Sequence, residues 1–458
     1  MRNRNTEVRA MDNTPVFNCK NADDVLKAVR DYNVSFIQFW FIDILGTLKS
    51  FQITPNELEA AFEEGMGFDG SSILGFTRIE ESDMVAFPDP ATFQLVAWRP
   101  TERPVARMFC DIRNPDGTPF AADSRYVLKR QLARAAEKGY TMYCGPELEF
   151  FIFASSKCPE TIDSGGYFDA APLDLANDIR RDIIFALSRM GITVEYSHHE
   201  VAPSQHEIDL RYAEGLAMAD IAVTYRVVCK EIARKHGVYA TFMPKPIFGE
   251  NGSGMHCHQS LFKNGRNAFF DPKDKYNLSA ECKSYIAGLL AHAREMTCVT
   301  NQWVNSYKRL VPGYEAPVYV AWARRNRSAL VRVPMYKPGK ETATRIELRN
   351  PDPACNPYLA FAAMLGAGLK GIEENYVLPD PVESNIFKMG DEDFKKYGIT
   401  SLPGSLHEAV MELEASTLMK DILGDHVHAE LVKNKIKEWD EYRTHVTQYE
   451  IDRYLPVL

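Results

Sequence analysis

Residues 145–151 read Gly-Pro-Glu-Leu-Glu-Phe-Phe, and Ile152 and Phe153 extend the apolar run. Such residues predict a strand, and a strand turns Glu147 and Glu149 to one face. By composition this is no solvated edge. Two like charges on a half-buried face repel unless a cation lies between them. Either the fold leaves this face open to water, as a surface carrying incidental acids, or it brings cations to the pair.

Two further segments carry metal-binding side chains. Ser197-His198-His199-Glu200 precedes Ser204-Gln205-His206-Glu207-Ile208-Asp209, a spacing unlike that of a zincin helix, whose two histidines share a turn. Nearby prolines and β-formers predict strand and loop here. His198, His199 and His206 are read as polar loop residues, and Glu200 and Glu207 as metal candidates. In Gly249-Glu250-Asn251-Gly252-Ser253-Gly254-Met255-His256-Cys257-His258-Gln259-Ser260, a strand groups His256 with His258 and turns Cys257 away. The glycines allow close approach of backbone to a ligand. No GxxxxGK[ST] phosphate loop occurs.

The chain's 458 residues suffice for about two or three domains. There are 53 Lys and Arg against 62 Asp and Glu, a net −9. That balance argues against a nucleic-acid-coating protein or a basic membrane-surface protein. The best apolar run, Ile37 to Leu45, is broken by Asp43 and is far shorter than the ~18 residues of a spanning helix. The opening residues lack the apolar core of a secretory signal. Nine cysteines without a CxxC pair predict reduced, mostly buried thiols. The expected setting is cytoplasmic, with no nucleic acid and no membrane among the partners.

The average charge conceals a contrast. From Lys308 to Arg349 ten bases meet three acids, giving +7 there and −16 for the rest. Arg345, Glu347 and Arg349 share one strand face. Arginines beside a carboxylate-rich metal site suit phosphoryl transfer, where cations hold phosphates and guanidinium offsets transition-state charge. Five glutamates and a histidine, mostly oxygen donors, favour Mg²⁺ or Mn²⁺ over structural zinc. Asn305 to Pro317 reads as a constrained loop whose Pro and Gly prevent helix. Its Glu315 is either a surface loop acid or a group that closes over a reacting phosphate and excludes water. The residues alone point to an ATP-using, divalent-metal phosphoryl-transfer enzyme.

The fold expected is α+β. A helix over 22–32 and strands over 34–42, 94–98 and 106–112 form a smaller domain, 1–114, closed by the turn Asn114-Pro115-Asp116-Gly117. In the larger domain, 115–458, Leu175, Ile179, Ile183, Ile184 and Leu187 predict a helix ended by Gly191, then a strand over 192–197. Leu216, Ile221, Tyr225, Val228 and Ile232 predict a second helix, ended by Gly237, then a strand over 238–243. Ser405 and Glu408 read as a capping box before one helix over 409–423.

With Phe68-Asp69-Gly70-Ser71-Ser72, Arg345-Ile346-Glu347-Leu348-Arg349 and the flap Asn305–Pro317 added, the chain closely resembles glutamine synthetase of the bacterial and archaeal type I, from about Asp24 to Leu455. The resemblance implies a small N-terminal β-grasp domain and a large catalytic domain on a curved, mostly antiparallel sheet, like that of the guanido kinases. It implies two stacked six-membered rings, a dodecamer with active sites between subunits. The implied reaction joins ammonia to L-glutamate with ATP through γ-glutamyl phosphate, with two or more Mg²⁺ or Mn²⁺ ions per site.

By the same resemblance, Glu149, Glu200 and Glu207 hold the metal nearer the substrate, and Glu147, His256 and Glu347 the metal on the ATP phosphates. Asn251, Gly252, Arg309 and Arg349 hold glutamate. Glu195, His258, Ser260, Arg332 and Arg345 contact the nucleotide. Arg327 stabilises the transferring phosphoryl group, Glu315 is the flap acid, and Asp69 of a neighbouring subunit deprotonates ammonium. Asn375 to Pro379 is one residue short of the family's adenylylation motif around Tyr376, which points to the effector-regulated subgroup, with Arg78 in glutamine feedback. A γ-glutamyl-polyamine ligase of the same fold, or an inactive structural relative, are the competing readings.

Overall fold

The computed structural model describes residues 15–75, 83–99, 102–335 and 337–458. Arg78 lies outside the described residues. Two sheets organise the molecule. The N-terminal sheet comprises β1 (Phe36–Ile42), β2 (Leu48–Ile53), β3 (Met66–Asp69), β4 (Asp83–Pro88), β5 (Gln94–Leu95) and β6 (Val105–Arg113), in the order β2-β1-β6-β4-β3 with β5 on β6. Helices α1 (Ala22–Asp31) and α2 (Leu58–Glu63) accompany it. Asn21 caps α1 by accepting the Asp24 amide.

The catalytic sheet has 11 strands. Its centre is β7 (Tyr140–Phe153), flanked by β8 (Val194–His199), β9 (Gln205–Leu210), β10 (Ala213–Glu214), β11 (Tyr239–Thr241), β12 (Met255–Lys263) and β13 (Arg266–Asn267). The sheet continues through β14 (Tyr319–Ala323), β15 (Ala329–Arg332), β16 (Ile346–Leu348) and β17 (Thr400–Ser401). The order is β17-β14-β15-β16-β12-β7-β9-β8, antiparallel except between β14 and β15. Along its length β7 changes neighbours, pairing β12 over 140–148 and β9 over 149–151. One strand therefore presents Glu147 to β12 and Glu149 to β9.

Helices α3 (Ser124–Glu137), α4 (Asn177–Arg189), α5 (Gly215–Lys235), α6 (Ala280–Ala291), α7 (Ala293–Thr300), the single turn α8 (Ser306–Arg309) and α9 (Pro357–Glu373) complete the framework that concerns the site. Almost every residue of α9 is buried, and its small residues let α6 come close. A Cβ on Gly371 would meet the Ser284 carbonyl at 2.1 Å. The close fit sets Tyr285 of α6 to donate to Gln259 of β12 at 2.7 Å, bracing the back of the strand that carries His256 and His258.

Several expectations need correction. Leu175 precedes α4 and is exposed, because α4 begins only at Asn177. Ser405 does accept the Glu408 amide, but the Glu408 carboxylate goes to the Gly404 amide and Arg294 rather than closing a reciprocal box. The helix expected over 409–423 is two helices, Leu406–Ala415 and Thr417–Leu423, because Ser416 caps the second. The strands expected over 94–98 and 238–243 shorten to β5 and β11. The Asn305–Pro317 loop contains the helical turn α8, since Pro312 and Gly313 come too late to prevent it. All nine cysteines are free, and only Cys158 is exposed.

Candidate active site

Register brings distant carboxylates together. Across β7 and β9, Glu149 faces Glu207; across β7 and β12, Glu147 faces His256; across β12 and β16, His258 faces Glu347. His258 Nε2 lies 2.7 Å from Glu147 Oε1, and His256 Nδ1 lies 3.3 Å from Glu147 Oε2. Glu347, fully buried, accepts from both Arg332 and Arg349. Burial opposes ionisation of Glu347, but Arg349, His258 and His256 together outweigh it and the carboxyl falls to about 2. Glu147 is likewise held well below the usual range, its burial outweighed by His258 and His256.

The second cluster has the opposite balance. His198 Nε2 lies 2.9 Å from Glu200 Oε1 and 3.4 Å from Glu207 Oε2. Glu149 Oε2 accepts from Gln205 at 3.0 Å and from the Gly254 amide at 2.9 Å. Burial, then the charge of Glu200, push the Glu149 carboxyl up to about 8. Burial and Glu149 in turn push Glu207 well above its ordinary value. Among the described residues Glu207 Oε1 is buried without a hydrogen-bond partner.

Ligand atoms of Glu147, His258 and Glu347 lie within 4.8 Å of one another, as do those of His198, Glu200 and Glu207. Orphaned buried oxygen and mixed carboxylate and imidazole donors fit divalent cations. A third grouping, Asp163, His199 and His206, does not. Arg180 can only donate, so His206 Nδ1 accepts from it at 3.0 Å and the proton sits on Nε2, leaving that ring no lone pair for a metal.

A polar cavity of about 40 Å³ lies beside the second cluster, lined by Glu149, Glu200, Asn251, Gly252, Arg309, Glu315 and Arg349 together with Tyr314. The fit is close: a Cβ on Gly254 would lie 2.6 Å from the Arg309 guanidinium. Glu315 holds a left-handed backbone, φ 58°. A larger cavity of about 270 Å³ opens on the other side of Glu147, with Glu195, His258, Ser260 and Arg345 on its walls and Tyr143 and Tyr212 as aromatic faces. Arg327 is exposed and hydrogen-bonds Tyr167.

Asp69 stands apart. It is exposed on β3, the end strand of the N-terminal sheet, and accepts from the Ser71 amide at 2.8 Å. Neither cavity includes it among the described residues. Tyr376 stacks on His292, ring centroids 6.0 Å apart.

The reading of His198, His199 and His206 as loop residues is overturned. All three are buried on β8 and β9, and His198 belongs to the second carboxylate cluster. The signal was available: His198 and Glu200 stand in the same i, i+2 relation as Glu147 and Glu149. Gln205, which orients Glu149, and the two tyrosines of the larger cavity were also missed. An isolated Gln or Tyr carries no such signal.

Paired buried acids beside an arginine-rich wall fit an enzyme that uses divalent cations on phosphates. Residues 33–115 match the glutamine synthetase beta-Grasp domain, and residues 121–454 the glutamine synthetase catalytic domain. A glutamine synthetase of Methanosarcina mazei is 53% identical over 444 residues, 96% of this chain and 99% of that one. One of Mycolicibacterium smegmatis is 53% identical over 437 residues, 94% and 98% of the two chains. Among solved structures, a GmaS/ADP complex aligns with TM-score 0.86 at 31% identity, covering 94% and 99%. Plasmodium falciparum glutamine synthetase aligns with TM-score 0.86 at 27%, covering 96% and 99%. The chain belongs to the glutamine synthetase family. It is an enzyme that joins ammonia to the side-chain carboxylate of L-glutamate at the expense of ATP, giving L-glutamine, ADP and phosphate. Among the described residues no helix is long and apolar enough to cross a membrane.

Proposed function

We propose the following division of labour within that reaction. Glu149, Glu200 and Glu207 hold one Mg²⁺ or Mn²⁺ ion, and Glu147, His256 and Glu347 a second, with His198 and His258 close enough to assist. The observation that carries this reading is the excess of buried acid: Glu149 and Glu207 face each other across β7 and β9, both pushed above their ordinary values. The ions supply charge neutralisation on the phosphates of ATP.

Asn251, Gly252, Arg309 and Arg349 orient glutamate so that its side-chain carboxylate attacks the γ-phosphate. Glu195, His258, Ser260, Arg332 and Arg345 hold the nucleotide, and Arg327 offsets charge on the transferring phosphoryl group. Glu315 closes over γ-glutamyl phosphate and excludes water. Ammonium has no lone pair, so Asp69 takes its proton. Ammonia then attacks the acyl carbon and phosphate leaves.

In a single subunit Ser71 holds the Asp69 carboxyl below its ordinary range, the wrong direction for a base. Asp69 is also exposed and lies outside both cavities of its own subunit. This favours sites shared between subunits, and we read the assembly as a dodecamer of two stacked hexameric rings. We place the domain boundary at 114/115 and the protein in the cytoplasm, for which nine free thiols are suited.

Calorimetric titration with Mn²⁺ tests the ligand sets. Glu149→Gln and Glu347→Gln are each expected to lose one class of site and keep the other. Retention of both classes in both variants would refute the assignment.

A further inference from the structure

Lys245, in the segment between β11 and β12, ties that segment to the Asn305–Pro317 loop. Its backbone amide donates to Asn305 Oδ1 at 2.7 Å, and Asn305 Nδ2 returns a bond to the Lys245 carbonyl at 3.0 Å. This exchange anchors the lysine where the loop begins. Its side chain then reaches the loop's far end, with Nζ 3.8 Å from the centre of the Tyr314 ring. The same ammonium donates to the carbonyl of Glu250, the residue before Asn251.

The ammonium has no carboxylate within ion-pair distance among the described residues, and its contacts are an aromatic face and a carbonyl. A half-buried cation over a ring is attracted by the ring's quadrupole, and more strongly as water is excluded. Burial also lowers the Lys245 pKa, consistent with a partly desolvated position.

What this contact holds matters for the reaction. Tyr314 and Glu315 both line the polar cavity beside Glu149 and Arg349. Glu315 has φ 58°, a conformation costly for a residue with a Cβ, so its neighbours must keep it there. Pro312 and Gly313 before it offer no regular hydrogen bonding. We propose that Lys245 is a positioning residue that latches the Tyr314–Glu315 loop over the active site through its ammonium–ring contact. The latch rests on the reading of Glu315 as the group that shields γ-glutamyl phosphate. Without it, water in place of ammonia attacks the acyl phosphate, and glutamate and phosphate result: ATP is consumed and no glutamine forms.

The measurement is phosphate released per glutamine formed, with saturating glutamate, ammonium and ATP·Mg²⁺. Lys245→Met is expected to raise that ratio by about three- to thirtyfold, and Lys245→Arg, which keeps a cation, to stay within about twofold of wild type. Tyr314→Leu is expected to match Lys245→Met, and the double variant to exceed neither single by more than about twofold. A merely structural role for Lys245 would lower glutamine and phosphate output together and leave the ratio in place. An unchanged ratio in Lys245→Met, or additive effects in the double variant, overturns the latch if Glu315→Ala still uncouples. If Glu315→Ala leaves the ratio unchanged, the shielding role of Glu315 fails and the latch with it. Should Lys245→Met not fold, Tyr314→Leu, a loop substitution, decides by the same ratio.

Discussion

Two buried charge clusters in this chain end in opposite states. Around Arg125, which is 3% exposed, the guanidinium meets Asp220 at 3.0 Å, Asp111 at 2.6 Å and Asp89 at 2.7 Å. Lys129 adds a second cation to Asp111, and Tyr358 donates to Asp220 at 2.6 Å. Burial opposes the charge on Asp111, yet Arg125 and Lys129 hold its carboxyl below the ordinary range. In the candidate active site Glu149 and Glu207 are buried as deeply as Asp220, deeper than Asp89 and Asp111, and burial with neighbouring acids pushes both upward. The Arg125 hub satisfies itself within the chain and joins the N-terminal sheet to α3, α5 and α9. Among the described residues Glu149 and Glu207 have no Arg or Lys within ion-pair distance, and Glu207 Oε1 has no hydrogen-bond partner. Buried charge thus serves architecture where the countercharge is built in, and suits chemistry where acids outnumber their cations.

Breaking the hub should have the largest effect. Arg125→Met leaves Lys129 on Asp111 but takes the paired cation from Asp89 and Asp220, and is expected to cost about 3–5 kcal/mol, read from urea unfolding, with Mn²⁺ restoring none of it. Glu149→Gln should do the reverse: glutamine formation falls by about 10²- to 10³-fold while the metal-free protein melts no lower than wild type. A melting temperature that drops as far as in the hub variant would erase the contrast.

A smaller effect tests whether the site is completed by a second subunit. Asp69→Ala and Glu347→Gln chains, each inactive, should recover roughly a quarter of wild-type activity when randomly co-assembled. No recovery in mixed oligomers would place Asp69 in its own chain's site.

The smallest effect is a pH slope. Glu149 keeps its proton below about 8, so a cation must expel it. Mn²⁺ affinity should therefore rise as pH rises, by about tenfold per unit per displaced proton, and flatten above that value. In the metal-free protein the raised carboxyl contributes stability that is present below the ordinary carboxylate range and is lost as pH climbs through about 8. Melting curves across that window should show the decline in wild type and less of it in Glu149→Gln. The hub, whose Asp111 is shifted downward, should show no such decline.

Legibility followed the range of the interaction. Alternation along β7 and β12 made the pairs Glu147/Glu149 and His256/His258 readable, because side-chain direction on a strand is a local property. The same rule applied to His198 and Glu200 but was masked by nearby prolines, and three buried histidines were assigned to a loop. The break at Ser416 escaped because its hydroxyl can either continue a helix or cap the next one. Motif resemblance supplied the residue roles that alternation could not, Asp69 and Arg327 among them.

By itself the sequence determined which faces carry acids, where the basic stretch lies, and that buried paired carboxylates need cations. It could not determine which strands meet. Glu147 and Glu347 are two hundred residues apart, and only the register of β7 on β12 and β12 on β16 makes them neighbours. That register depends on packing along the whole of each strand, from Gln259 braced by Tyr285 to α9 pressed against α6. The same packing decides which acids find a cation inside the chain. Asp111 pairs with Arg125 and Lys129, whereas among the described residues Glu149 has no ion pair.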